Sequence, residues 1–111
     1  MLDKAAVKKI AERFANEVKK ILTPDAVLMF GSYINGGAHE YSDIDIAVIC
    51  NDFDGNWYET MVELNVISHE ISFYIEPHLM DTNRDRSGFV EYVLKTGEYI
   101  YKAEREAVNA T

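Results

Sequence analysis

One cysteine, Cys50, stands in the whole chain, which excludes an internal disulfide and any zinc site built on several thiolates. It ends an apolar run and reads as a small buried hydrophobe. The sequence has no stretch of about 18 apolar residues to span a bilayer. Its first residues, MLDKAAVKKIAERF, scatter charge at helical spacing where a secretion signal carries an apolar core. A cytoplasmic protein with no membrane partner is expected. Basic residues are scarce, 11 Lys and Arg against 19 Asp and Glu for a net charge of -8, so a grip on long nucleic acid by phosphate neutralisation is not expected. A polyanionic ligand would need a cation to bring it in. Internal repeats, low-complexity tracts and a dividing linker are also missing. The 111 residues therefore read as one domain over 1–111, of which about 102–111 is a polar tail.

What the chain does have is periodicity. Val7, Ile10, Phe14, Val18, Ile21 and Leu22 recur at steps of three and four, the pattern of an amphipathic helix, with Asp3 as N-cap and Thr23-Pro24 closing it. AVLMF, Ala26 to Phe30, is a short continuous apolar run and predicts a strand buried on both faces, ended by Gly31-Ser32. After the turn-rich NGGAHEYS, the segment DIDIAVIC predicts a second strand with Asp43 and Asp45 on one face. Trp57, Met61 and Leu64 lie at helical spacing. The alternation in ISHEISFYIEP predicts a third strand, with Ile67, His69, Ile71, Phe73 and Ile75 on one face and Ser68, Glu70, Ser72, Tyr74 and Glu76 on the other, ended by Pro77. His69 falls on the apolar side and reads as a core residue. Ser87 is expected to cap a short helix through Phe89, Val90, Val93 and Leu94, with Gly97 ending it in the left-handed conformation, and EYIY is expected to add an edge strand or to pack as a strand-like tail. This order implies an α+β fold, a small mixed β-sheet backed by helices.

The chemistry concentrates in FGSYINGGAHEYSDIDIAVI, Phe30 to Ile49. Carboxylates two residues apart on a strand point the same way, roughly 6 to 7 Å apart. Such a pair can hold a hard divalent cation such as Mg²⁺, which takes carboxylates together with substrate phosphate oxygens. Gly31 lets the backbone approach a ligand closely, and Ser32 offers a hydroxyl and an amide at a helix start that favours phosphate. Gly36 and Gly37 can complete the bend toward the second strand.

Gly31-Ser32, ten residues, then Asp43-Ile44-Asp45 resembles the G-S-x10-D-x-D signature of the DNA polymerase β-type nucleotidyltransferase superfamily, and most of all its small stand-alone members, the minimal nucleotidyltransferases. Gly36 matches the family's second glycine and Ser42 the serine before the first aspartate, while IEPH and SGFVEYVLKTG look like the family's C-terminal half. The resemblance implies the nucleotidyltransferase, polymerase β palm-like fold and the transfer of a nucleoside monophosphate, AMP from ATP, to a hydroxyl acceptor. It implies nucleotide binding at Gly31, Ser32, Gly36 and Ser42, and Mg²⁺ on Asp43 and Asp45, with two ions if a third carboxylate is present. Relatives of this size are often antitoxins encoded beside a HEPN-domain toxin, which makes such a toxin the implied partner and acceptor. An oligomer is left open.

The sequence departs from the family pattern at two places. Asn35 stands where many relatives carry arginine. Counting back from IEP, the family's third carboxylate falls on Ser72, which cannot replace a carboxylate as ligand. Glu70, two residues away on the same predicted strand face, is the candidate substitute for catalysis and metal binding, with Glu76 farther along that face. Without a substitute, the chain reads instead as a catalytically impaired antitoxin or regulatory binding module.

Overall fold

The computed structural model describes residues 3–37 and 43–104. Its elements run α1 (Lys4–Val18), β1 (Ala26–Phe30), α2 (Ser32–Asn35), β2 (Ile44–Ile49), α3 (Trp57–Ile71), β3 (Ile75–Met80), α4 (Phe89–Thr96) and β4 (Glu98–Lys102). The carboxylate of Asp3 accepts a hydrogen bond from the Ala6 amide at 2.8 Å and starts α1 as its N-cap. Val7, Ala11, Phe14, Ala15 and Val18 form the buried stripe of that helix.

The strands form one mixed sheet in the order β3-β2-β1-β4. β1 pairs antiparallel with β2 and with β4, while β2 and β3 are parallel and are joined across the sheet by α3. Successive side chains on a strand alternate between faces, so each strand feeds two cores. On one face Val27, Met29, Ile44, Ile46, Val48 and Leu79 pack with α1 and α3. On the other, Ala26, Leu28, Ala47, Ile49 and Met80 pack with Val90 and Val93 of α4. Cys50 is buried beside the first core, as its place in the sequence suggests. Burial, and then the negative charge of Asp81, push its thiol up to about 11.

Several local expectations are corrected. The segment from Ile67 to Ile71 belongs to α3, and the third strand begins only at Ile75. A step of four residues is both two strand periods and about one helical turn, so Ile67, Ile71 and Ile75 satisfied either pattern. Buried Thr60, Leu64 and Ser68 continue the helical stripe, whereas His69 and Phe73 of the predicted apolar face are exposed. Pro77 does not end the strand; it lies inside β3, an edge strand, where a residue without an N–H is tolerated. Ser72 is the turn between α3 and β3: its amide donates to the Ser68 carbonyl at 2.8 Å and its Oγ accepts from the Tyr74 amide at 3.1 Å.

At α4 the carboxylate of Asp85 accepts from the amides of Val90 and Glu91 at 2.8 and 3.0 Å, and Ser87 Oγ adds a longer contact to the Phe89 amide. Gly97 has an extended backbone, φ -76°, in place of the expected left-handed one. Glycine is needed there for space, because a side chain would press on the carbonyl oxygens of Val93 and Met29. β4 is the edge strand expected from EYIY; Lys102, placed in the tail by the sequence, closes it opposite Ala26. Among the described residues no helix is long and apolar enough to cross a membrane.

Candidate active site

Asp45 sits near one end of the interior strand β2, with Phe30 of β1 opposite it on one side and Glu76 of β3 in register on the other. Two hydrogen-bonded neighbours fix its backbone. Asp43 precedes β2 on the same face by strand alternation, and its side chain hydrogen-bonds that of Glu76. Two residues beyond Glu76, His78 returns to this face, and its Nε2 lies 3.1 Å from Asp45 Oδ1. Asp45, Glu76 and His78 can each offer one ligand atom, and those atoms all lie within 4.8 Å of one another. The Phe30 ring meets the His78 imidazole edge to face with 5.1 Å between centroids, closing the apolar side of the group.

The carboxylates of this group interact with one another. Glu76 holds its proton more tightly than an ordinary glutamate, first through its hydrogen bond with Asp43 and then through partial burial and the negative charges of Asp45 and Asp43, against the opposing effect of His78. Carboxylates that crowd closely enough to retain a proton can take a divalent ion in its place. The donor set of Asp43, Asp45, Glu76 and His78 fits such an ion chemically.

The glycine-serine turn is built against the same carboxylate. Gly31 follows Phe30 directly and has φ +82°, and a Cβ there would collide with the Asp45 carboxylate. Any other residue would be strained by its backbone and by Asp45 together. Ser32 opens α2, and the Ile34 and Asn35 amides close onto the Gly31 carbonyl at 3.0 and 2.9 Å. Gly36 ends α2 in the left-handed conformation with open space around it, so its requirement is the turn itself. Ser42 lies outside the described residues.

Of the residues picked from the sequence, Asp43, Asp45, Gly31 and Ser32 come together at one end of the sheet. Glu70 does not join them. It is exposed on α3, beside Arg13 and Glu17 of α1, on the sheet face opposite Asp45. An extended segment here would set Glu70 beside the aspartates; the helix turns it away from them. Glu76 takes the position in register with Asp45, and His78 is a member of the group that sequence reasoning passed over. The signal was present in IEPHLM: Glu76 and His78 alternate with Ile75, Pro77 and Leu79, and the strand period simply had to be carried through the proline. A cavity of about 330 Å³ lined by Asp25, Ile49, Leu94 and Tyr99 lies at the other end of β1 and takes no part in this group.

The solved structures that share this fold include a protein from Sulfolobus solfataricus assigned as a nucleotidyltransferase, 22% identical, with a TM-score of 0.66 over 91% of this chain and 85% of that one. A toxin-antitoxin complex with AMP-PNP contains a chain 24% identical, with a TM-score of 0.61 over 84% and 74%. The complex of a tri-AMPylated HEPN toxin from Shewanella oneidensis with its MNT antitoxin contains one 21% identical, with a TM-score of 0.57 over 86% and 73%. No curated protein matches the chain significantly. Residues 8–106 match the family described as Polymerase beta, Nucleotidyltransferase. With that match over most of its length, and a sheet that sets the glycine-serine turn against the D-x-D pair, the chain belongs to the polymerase β nucleotidyltransferase family.

Proposed function

We propose that this chain is a Mg²⁺-dependent nucleotidyltransferase that moves AMP from ATP to a hydroxyl of a partner protein in the cytoplasm. The observation that carries the reading is the meeting of Asp43, Asp45 and Glu76 on one sheet face beside the turn at Gly31 and Ser32. The amides and hydroxyl at the start of α2 receive the triphosphate, and Gly36 shapes the return of the chain beneath it. Asp43, Asp45 and Glu76 would hold the cation. Mg²⁺ bound there would neutralise phosphate charge and lower the pKa of the attacking hydroxyl. A new bond forms between the acceptor oxygen and the α-phosphorus as the α–β phosphoanhydride bond breaks; pyrophosphate leaves with the bonding pair, and the hydroxyl proton passes to the carboxylate cluster. The rigid pairing of β1, β2 and β3 holds these groups in place, which supplies orientation before the reaction begins.

The structural neighbours that contain an AMPylated HEPN toxin or AMP-PNP support ATP as donor and a HEPN-type toxin as acceptor. The reading as a non-catalytic binding module drew its motive from Ser72. With Ser72 in the turn before β3 and Glu76 beside Asp45, the catalytic reading is the better supported one. The test is incubation of the protein with ATP labelled at the α-phosphate, Mg²⁺ and a HEPN-type toxin partner. Label should appear on the toxin and should be lost when Asp43 and Asp45 are both changed to asparagine. Transfer by the double variant would refute the site, and toxin left unlabelled by the unaltered chain would refute the activity.

A further inference from the structure

We propose that His78 is itself a ligand of the divalent ion, making this a mixed carboxylate and imidazole site that is biased toward Mn²⁺ over Mg²⁺. The inference rests on the nucleotidyltransferase reading for the presence of a cation and goes beyond it in the ligand set. His78 is placed like a ligand and unlike a core histidine. Its side chain keeps 32% of its exposure, against 24% for Asp45, so the ring is only partly buried and its edge at Nε2 faces the carboxylate group. It shares its strand face with Glu76 and turns the same nitrogen, Nε2, toward Asp45. In an octahedral site with bonds of about 2.0 to 2.1 Å, neighbouring ligand atoms stand about 3 Å apart. The 3.1 Å hydrogen bond between Nε2 and Oδ1 keeps these two atoms at a separation compatible with that spacing, and the Asp45, Glu76 and His78 ligand atoms all lie within 4.8 Å of one another. Packing fixes the ring in this attitude: Phe30 meets it edge to face at 5.1 Å, and Phe89 of α4 backs Phe30 at 5.7 Å.

The chemical consequence follows from donor type. Mg²⁺ favours oxygen ligands and its own water, whereas transition-metal ions accept imidazole nitrogen readily. In the absence of a cation, the Nε2 hydrogen bond to Asp45 occupies the same atoms. Cation binding requires Nε2 to present its lone pair, with the ring proton carried on Nδ1.

Electron spin-echo spectroscopy of Mn²⁺ added to the metal-stripped full chain tests this directly, because a coordinated imidazole imprints a ¹⁴N modulation on the manganese signal. The modulation should appear with the unaltered chain, change to a ¹⁵N pattern when histidine is ¹⁵N-labelled, and vanish in His78→Gln while surviving in His39→Gln and His69→Gln. The labelled chain and the last two variants decide the question even if His78→Gln fails to fold. Calorimetry should show the His78→Gln change lowering Mn²⁺ affinity about tenfold and Mg²⁺ affinity less. Mn²⁺ that binds without nitrogen modulation, and is released by Asp45→Asn, would overturn the inference and leave the nucleotidyltransferase reading standing. Equal loss of affinity for both ions would overturn the bias. Failure to bind Mn²⁺ with or without ATP would overturn both.

Discussion

The two faces of the sheet are made from the same strands and are finished differently. On the α1 and α3 side, Ile44, Ile46 and Val48 of β2 are all fully buried, and apolar packing runs from one end of the strand to the other. On the α4 side, Ala47 and Ile49 are covered, but Asp45 is not: apolar cover stops at Phe30 and the polar group of Asp43, Asp45, Glu76 and His78 takes over. Both faces carry an apolar core, but only the α4 face ends in a polar, partly open group. Each large apolar side chain taken from water contributes roughly 1.5 to 3 kcal/mol. The fully covered face can therefore support a cluster of crowded carboxylates that adds little to stability and opposes it through mutual repulsion.

The largest expected effect separates the faces by function. Asp45→Asn should lower AMP transfer about a thousandfold or more, while shifting the melting temperature by no more than about 5 °C. A large drop in melting temperature would show that Asp45 is structural. The converse change comes next. Phe14→Ala, which empties the centre of the α1 stripe, should cost about 3 to 5 kcal/mol in chemical denaturation and leave the turnover of the folded fraction unchanged. If turnover fell with stability, the faces would not be independent.

A smaller effect distinguishes two carboxylates at the two ends of β3. Glu76, at the site end, has its proton affinity raised, whereas Asp81, at the other end, has its own lowered. Burial of Asp81 pushes its value up, but backbone amides of Asn83, Phe53 and Asp52 and the charge of Arg84 outweigh that effect. Distances of 2.9 Å to the Asn83 and Phe53 amides and 3.1 Å to that of Asp52 show why. Because its folded-state value lies below the ordinary 3.8, the stability that Asp81 adds is fully present above pH 3.8 and is lost as pH falls through the lower value. Asp81→Asn should flatten that acid limb in pH-dependent denaturation and cost about 1 kcal/mol at neutral pH. An unchanged acid limb would refute the assignment. The smallest effect is expected at Glu70: Glu70→Gln should leave transfer within about twofold of the unaltered chain, whereas Glu76→Gln should abolish it. Similar losses at both would restore Glu70 as a candidate.

The parts of the molecule legible in the sequence are those whose cause is local. Asp3 starts α1 through its own carboxylate, β1 spans the five residues of an unbroken apolar run, and the turn at Gly31 is followed by the D-x-D strand in the expected place. The errors came where two periods coincide or where a residue type has more than one use. Ile67, Ile71 and Ile75 fit both a helix and a strand, so their spacing alone cannot place Glu70 on α3, where it lies. Gly97 serves close packing with extended backbone, which its position after a helix does not reveal. The pairing of Asp45 with Glu76 depends on the parallel register between β2 and β3, set by a crossover that no local pattern encodes.

Pro77 lies between the two site residues of β3, with Glu76 before it and His78 after it. A residue that precedes proline is sterically kept in extended conformations, in the unfolded chain as well as in the native one. Glu76 therefore has fewer backbone states to surrender when β3 forms, and its extended geometry is favoured before any strand pairs with it. The chain entropy lost in ordering this donor is reduced by its neighbour's ring, so a carboxylate that gains little from burial is nonetheless held where the sheet needs it.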